Sequence, residues 1–189
     1  MLPLFSKFWW SFVFRGLAAV LFGLTISWGT PSLDLLVLAF GLFALLQGVF
    51  SVIPGLSKLG GRIYFLLIEG VVGILAGVFT FLGPGIGRMV WPEIATVTLV
   101  YFIAFWALLT GAAELIGSLR LPGEMKERRM ISLSGVVCFF LTLLLLLRTG
   151  PGATGNASVI GIFGMVIGLL WLFTGLKARG QSARMGKLF

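Results

Sequence analysis

The sequence predicts an all-α integral membrane protein whose six transmembrane helices form three repeated hairpins. Of the 189 residues, 59% are hydrophobic and only 11% are charged, and the mean hydropathy is +1.11. This composition leaves too little polar surface for a water-soluble globule. Six apolar stretches of helical length stand between short polar or Gly/Pro-rich breaks, without the alternation that is typical of barrel strands.

The predicted spans are Phe8–Trp28, Leu33–Pro54, Ile63–Leu82, Ile94–Leu119, Ile131–Leu147 and Ser158–Leu176. Each is long enough to cross the hydrocarbon core as a helix, and the fifth is close to the lower limit. The first follows Lys7 as a signal peptide would. Because it contains Arg15 and leads into further spans, we expect it to be retained.

Basic residues are concentrated in the connections on one side of these spans. Only Arg88 and Arg148 lie in connections on the opposite side. The concentrated set has eleven members: Lys7, Lys58, Arg62, Arg120, Lys126, Arg128, Arg129, Lys177, Arg179, Arg184 and Lys187. By the positive-inside rule this bias predicts that both termini are cytoplasmic. For the basic tail, residues 177–189, we expect a frayed, solvated terminus, with contact to anionic headgroups as the alternative.

Small residues recur at steps of three and four in every span, which places them on one helical face. The odd spans carry Gly16, Ala19, Gly23, then Gly70, Gly73, Gly77, then Gly135, Cys138, Thr142. The even spans carry Gly41, Ala44, Gly48, then Ala104, Ala107, Gly111, then Gly168, Trp171, Gly175, where Trp171 departs from the small-residue pattern. The pattern predicts three two-helix repeats, at about residues 8–57, 62–120 and 130–178. Such stripes let helix backbones approach closely in lipid, so we expect them to be packing surfaces.

At these residues the sequence resembles the HdeD-like membrane proteins, which are built from a short repeat of unknown function. The resemblance rests on Arg15-Gly16 through Gly23 to Pro31, on Glu69-Gly70 through Gly77 to Pro84, and on the positions of Gly48, Gly111 and Gly175. It implies a bacterial inner-membrane protein associated with acid or general stress resistance. It carries over no reaction and no catalytic residue.

Three ionisable residues lie inside predicted spans: Arg15, Glu69 and Glu114. Each is expected roughly 10 Å from the cytoplasmic end of its helix, at 1.5 Å per residue. A charge in hydrocarbon requires a partner, so we expect one cluster in which Arg15 pairs with Glu69 first and Glu114 second, completed by Gln47, Thr110 and Ser134. A structural clasp is the leading interpretation, and a proton or ion pathway and snorkelling to the interface are the alternatives.

The residues that most reactions need are scarce in this chain. It contains no His and a single Cys, Cys138, and it carries no catalytic triad and no phosphate loop. We therefore expect no enzyme activity, no cofactor, no metal and no nucleic-acid partner. The leading hypothesis is an HdeD-like protein with a stress-protective or scaffolding role, surrounded by membrane lipids. An accessory transmembrane subunit of a larger energy-converting complex is the alternative, and a small proton or ion transporter is the third.

Overall fold

The computed structural model describes residues 8–28, 31–56, 64–83, 92–119, 126–148, 150 and 152–185. Six long helices account for nearly all of them: α1 Trp9–Ser27, α2 Leu33–Gly55, α3 Tyr64–Leu82, α4 Pro92–Leu119, α5 Lys126–Leu147 and α6 Ala157–Met185. A single helical turn, Gly152–Gly155, precedes α6. The predicted fold class is confirmed.

The helices have the length and composition of membrane spans. Five contain an apolar segment of at least 18 residues, and α3 contributes the shorter apolar segment Leu66–Leu82. Seventeen residues lie at the lower end of what crosses a hydrocarbon core as a helix. Large apolar side chains such as Leu38, Phe105 and Phe173 point outward from the bundle, each more than half exposed. The outer surface of the bundle is therefore suited to contact with lipid hydrocarbon and not with water.

Two helix ends differ from the sequence prediction by more than two residues. Helix α5 begins at Lys126, five residues before the predicted start, so the basic run up to Arg129 is helical. Helix α6 continues to Met185, so most of the basic tail that was expected to fray is helical too. Polar residues end an apolar span without ending a helix, because Lys and Arg are good helix formers.

Several predictions fall on residues that lie outside the described ranges. They concern Pro84 and the basic residues Lys7, Lys58, Arg62, Arg88, Arg120 and Lys187. Among the described residues, the two ends of the bundle nevertheless differ in how many basic residues they carry. Arg128, Arg129, Lys177 and Arg179 lie at the end where α1 starts and α6 finishes, whereas Arg148 lies at the other end.

The six helices close into a ring. Each packs on the helices before and after it in sequence, and α6 returns to pack on α1. Contacts within the three predicted hairpins are present, but the more extensive contacts join one hairpin to the next: α2 with α3, α4 with α5, and α6 with α1. We call these three the close pairs.

The small-residue stripes face each other across the close pairs. In the first, a Cβ at Gly48 would lie 2.7 Å from the carbonyl oxygen of Gly70. In the second, a Cβ at Gly111 would lie 2.9 Å from the carbonyl oxygen of Gly135. In the third, a Cβ at Gly16 would lie 2.7 Å from the carbonyl oxygen of Gly168. Backbone against backbone at this separation leaves room only for hydrogen, which explains the glycines.

The same interfaces contain the other predicted packing glycines. A Cβ at Gly77 would lie 2.9 Å from the carbonyl oxygen of Gly41, and one at Gly73 would lie 2.9 Å from the Cα of Gly48. On α1, a Cβ at Gly23 would lie 2.5 Å from the carbonyl oxygen of Gly161. Gly175 also meets α1, where its added Cβ would lie 2.8 Å from the carbonyl oxygen of Trp9.

The register assigned to the third even helix from its sequence was wrong. Gly168, and not Gly175, faces the glycine that begins the stripe of the next odd helix, so the stripe equivalent to Gly41, Ala44 and Gly48 is Gly161, Gly164 and Gly168. Both candidate stripes have the same three-then-four spacing, so spacing alone could not separate them. The shift of seven residues places Trp171 three residues after its stripe, where Ser51 and Glu114 stand in the other repeats.

A pair of alanine substitutions tests the close approach. In Gly48→Ala the new Cβ would lie 2.5 Å from the backbone nitrogen of Ile74, so the helices must separate, and we expect a loss of about 1–3 kcal/mol of unfolding free energy. Gly180→Ala, on α6 with nothing within 4 Å of its Cβ, is the matched control and should stabilise by up to about 1 kcal/mol through helix propensity. Thermal unfolding in detergent measures both, and equal shifts would contradict the close pairing of α2 and α3.

Candidate functional site

The residues before and after the stripes meet inside the ring. The residue before the first stripe position is Arg15, Glu69 or Ser134 on the odd helices, and the residue three positions after the last is Ser51, Glu114 or Trp171 on the even ones. Together with Gln47 and Thr110, which precede the last glycine of their stripes, they form what we call the polar layer. All eight are at most 2% exposed.

The charge of Arg15 is neutralised across the centre of the ring. Its Nη2 donates to Oε1 of Glu69, forming a salt bridge between α1 and α3, two helices that are not neighbours in the ring. This pair is the one that the repeat pattern predicted first. The guanidinium carbon also lies 4.2 Å from the ring centroid of Trp171 on α6, a cation–π contact. Snorkelling is therefore wrong for Arg15, whose side chain is held inside the bundle.

Glu69 receives a second hydrogen bond from the neighbouring helix. The side-chain amide of Gln47 on α2 donates from Nε2 to Oε1 of Glu69 over 2.7 Å. The hydroxyl of Ser51 in turn donates to the backbone carbonyl of Gln47 over 2.9 Å. A carboxylate that accepts two bonds, one of them from a guanidinium, is stabilised in its ionised form. Arg15 and Glu69 thus form a hydrogen-bonded buried ion pair.

Glu114 has a different set of partners. The indole Nε1 of Trp171 donates to Oε1 of Glu114 over 2.7 Å, which connects α6 with α4 across the ring. Ser134 on α5 lies beside the same carboxyl group. Glu114 also interacts electrostatically with both Glu69 and Arg15, so the three ionisable groups belong to one cluster, as the sequence predicted. Arg15 is nevertheless paired with Glu69 and not with Glu114.

Trp171 is the residue whose role sequence reasoning missed. It was identified only as an exception in a stripe of small residues, yet it contacts the guanidinium with its ring and Glu114 with its N–H. The signal that would have found it is the alternative register, in which Trp171 aligns with Glu114 and Ser51. Thr110 was expected in the cluster, and its buried hydroxyl has no hydrogen-bond partner.

An apolar core fills the ring on the side of the polar layer away from the chain ends. Phe22 and Phe43 stack with their centroids 4.8 Å apart, and Trp106 meets Phe40 and Phe43 edge to face at 5.7 and 5.4 Å. A cavity of about 10 Å³ remains among these rings, which is at the limit for a single water. The charged groups are therefore separated from the far end of the bundle by packed aromatic side chains.

Comparison with protein families finds a repeated unit in the chain. The short repeat of unknown function (DUF308) matches the chain twice, over residues 14–82 and 80–147. These matches cover most of the chain. The chain belongs to this family. The matched residues contain Arg15, Glu69 and Glu114, while Trp171 on α6 lies beyond them. Neither the comparison with curated proteins nor that with solved structures found a match.

A double-mutant cycle tests the ion pair. Arg15→Met or Glu69→Gln alone leaves a buried charge or polar group without its partner, and we expect each to cost about 3–5 kcal/mol. The double variant removes both charges and should recover much of that loss. The measurement is the unfolding free energy or the thermal midpoint in detergent. The matched cycle of Arg15→Met with Glu114→Gln should show weaker coupling, and strictly additive losses for Arg15 and Glu69 would contradict the pairing.

Proposed function

We propose that this protein is a non-enzymatic, HdeD-like protein of the bacterial inner membrane with a stress-protective or scaffolding role. The observation that carries the proposal is the sealed polar layer: its charged groups bind one another inside a ring of helices whose other half is filled by aromatic side chains. Membership of the short-repeat family agrees with it. The role proposed for the buried charges is to fix the helix arrangement, and they act on no substrate.

The transporter alternative is disfavoured by the same geometry. A proton or ion path would have to continue from the polar layer through the region occupied by Phe22, Phe40, Phe43 and Trp106. Within the residues that the structure describes, this region is filled by rings that pack edge to face and face to face. A cavity of about 10 Å³ does not connect the two ends of the bundle.

An accessory transmembrane subunit remains the second candidate, favoured by an aromatic patch on the outer face of α1 and α2. Phe14, which is about half exposed, stacks on Phe50 at 5.2 Å, and Trp10 meets both rings edge to face. Rigid aromatic rings of this kind are enriched where proteins bind each other. Purification in mild detergent separates the candidates, since an accessory subunit co-purifies with a fixed complex and a free-standing protein does not.

The stress role predicts a survival phenotype. In a strain of the native host that lacks the gene, survival after acid challenge should fall and should be restored by the wild-type chain. Ile68→Ala, on the exposed face of α3, should restore it equally, whereas Gly48→Leu, which forces α2 from α3, should not. Membrane levels of each variant are measured in parallel. Unchanged survival of the deletion strain under acid, heat and osmotic challenge would contradict the proposal.

The proposed orientation places both chain ends in the cytoplasm. It is supported by the basic residues Arg128, Arg129, Lys177 and Arg179 at the bundle end that carries the start of α1 and the finish of α6. Reporter domains fused after Met125 and at the C-terminus should give cytoplasmic signals, and those fused after Trp28 and Gly152 should give external ones. A cytoplasmic signal at Gly152 would reverse the assignment.

A further inference from the structure

The polar layer contains an odd number of formal charges. It holds one guanidinium, that of Arg15, and two carboxyl groups, those of Glu69 and Glu114, all at most 2% exposed. With every group ionised the layer would carry a net charge of −1 inside a bundle whose surroundings are helix backbone, aromatic rings and lipid. An uncompensated charge in such a place is strongly unfavourable, and a second carboxylate near the first adds repulsion.

The hydrogen bonds distinguish the two carboxyl groups. Glu69 accepts from both Arg15 and Gln47 through Oε1, and both of these donors favour the ionised form. Among the described residues, the hydrogen bond of normal geometry that Glu114 accepts comes from a neutral donor, the indole of Trp171, at Oε1. Its other oxygen, Oε2, is buried and has no hydrogen-bond partner. The positive charge of Arg15 therefore neutralises Glu69 and not Glu114.

Other buried polar groups near Glu114 also lack a hydrogen-bond partner. Ser134 on α5 lies beside the carboxyl group, and its buried hydroxyl has no hydrogen bond of normal geometry. The buried hydroxyl of Thr110, one turn earlier on α4, and Oε2 of Glu69 on α3 have no partner either. The remaining groups around Glu114 are Arg15 on α1, Trp171 on α6 and the thiol of Cys138 on α5. The hydroxyl groups of Ser134 and Thr110 can each accept as well as donate, so a hydrogen atom on Oε2 of Glu114 would have an acceptor beside it.

We propose that the polar layer is a binding site for a single proton, which is held on Oε2 of Glu114 at neutral pH. The proton is taken up from bulk water and forms an O–H bond, so the layer becomes neutral as a whole: Arg15 positive, Glu69 negative and Glu114 uncharged. Glu114 then acts as a hydrogen-bond donor toward the hydroxyl groups around it. Because Arg15 carries the only positive charge in the layer and neutralises Glu69, Glu114 has no counter-ion and is neutralised by the proton. This inference does not depend on the stress role.

Infrared spectroscopy of the purified full chain in lipid nanodiscs tests the proposal. At neutral pH the wild-type protein should show one carbonyl stretching band of a protonated carboxylic acid, which shifts in D₂O. Glu114→Gln should abolish it. Glu69→Gln should abolish it as well, since Glu114 then becomes the counter-ion of Arg15 and ionises. Asp34→Asn, at the start of α2 and outside the layer, is the matched control and should leave the band unchanged.

The opposite change in charge gives a further readout. Arg15→Met leaves two carboxyl groups without a cation, so the band should double in intensity relative to the wild-type protein. Absence of the band in wild-type protein, or its persistence in Glu114→Gln, would overturn the proposal. Whether the band is present in wild-type protein can be decided from the wild-type and Asp34→Asn spectra, even if a charge variant does not fold. The spectra are also independent of acid survival, so failure of the proton site and failure of the stress role are distinguishable.

Discussion

The rest of the structure depends on where the positive charge of Arg15 is neutralised. In hydrocarbon this charge must find a partner inside the protein, and its partner Glu69 lies on a helix that is not a neighbour in the ring. The side chain therefore spans the centre of the bundle, and the six helices can close only at a spacing that lets it do so. Trp171 makes the second connection of this kind, from α6 to Glu114 on α4, and its ring also covers the guanidinium.

Close backbone approach supplies the complementary constraint. Because lipid offers no hydrophobic drive between helices, association depends on packing, and packing is tightest where glycine faces glycine. Here the glycine contacts join the even helix of one hairpin to the odd helix of the next, as in Gly48 with Gly70 and Gly168 with Gly16. The hairpins alone would give three separate units. The contacts between them, including the return of α6 to α1, make a single ring.

The approximate three-fold repeat also explains why the polar layer is asymmetric. Each close pair contributes one position from each helix: Trp171 with Arg15, Ser51 with Glu69, and Glu114 with Ser134. Three identical copies would place three like charges in one buried layer, which is prohibitive. Divergence of the copies gives the two equivalent positions of each pair different side chains: a tryptophan with the cation Arg15, a serine with Glu69, and a serine with Glu114.

Much of this architecture could be predicted from the sequence, and each failure has a physical cause. Hydropathy located all six helices, and the repeat placed Arg15 and Glu69 at equivalent positions, from which their pairing followed. The start of α5, the finish of α6 and the register of Gly168 were missed, because charge content does not end a helix and two stripes with equal spacing cannot be told apart. Trp171 was missed with that register. The contact of Trp171 with Glu114 across the ring is set by tertiary packing and leaves no pattern in the sequence around either residue.

The pairing of Arg15 is tested most directly by measuring which carboxyl group binds the guanidinium in a lipid bilayer. Solid-state nuclear magnetic resonance can detect dipolar coupling between ¹⁵N-labelled arginine side chains and ¹³C-labelled glutamate carboxyl carbons. An ion pair of Arg15 with Glu69 predicts a coupled glutamate signal that disappears in Arg15→Met, persists unchanged in Glu114→Gln, and is replaced by a signal at a different chemical shift in Glu69→Gln, where Glu114 becomes the counter-ion. Loss of that signal in Glu114→Gln and its retention in Glu69→Gln would contradict this pairing.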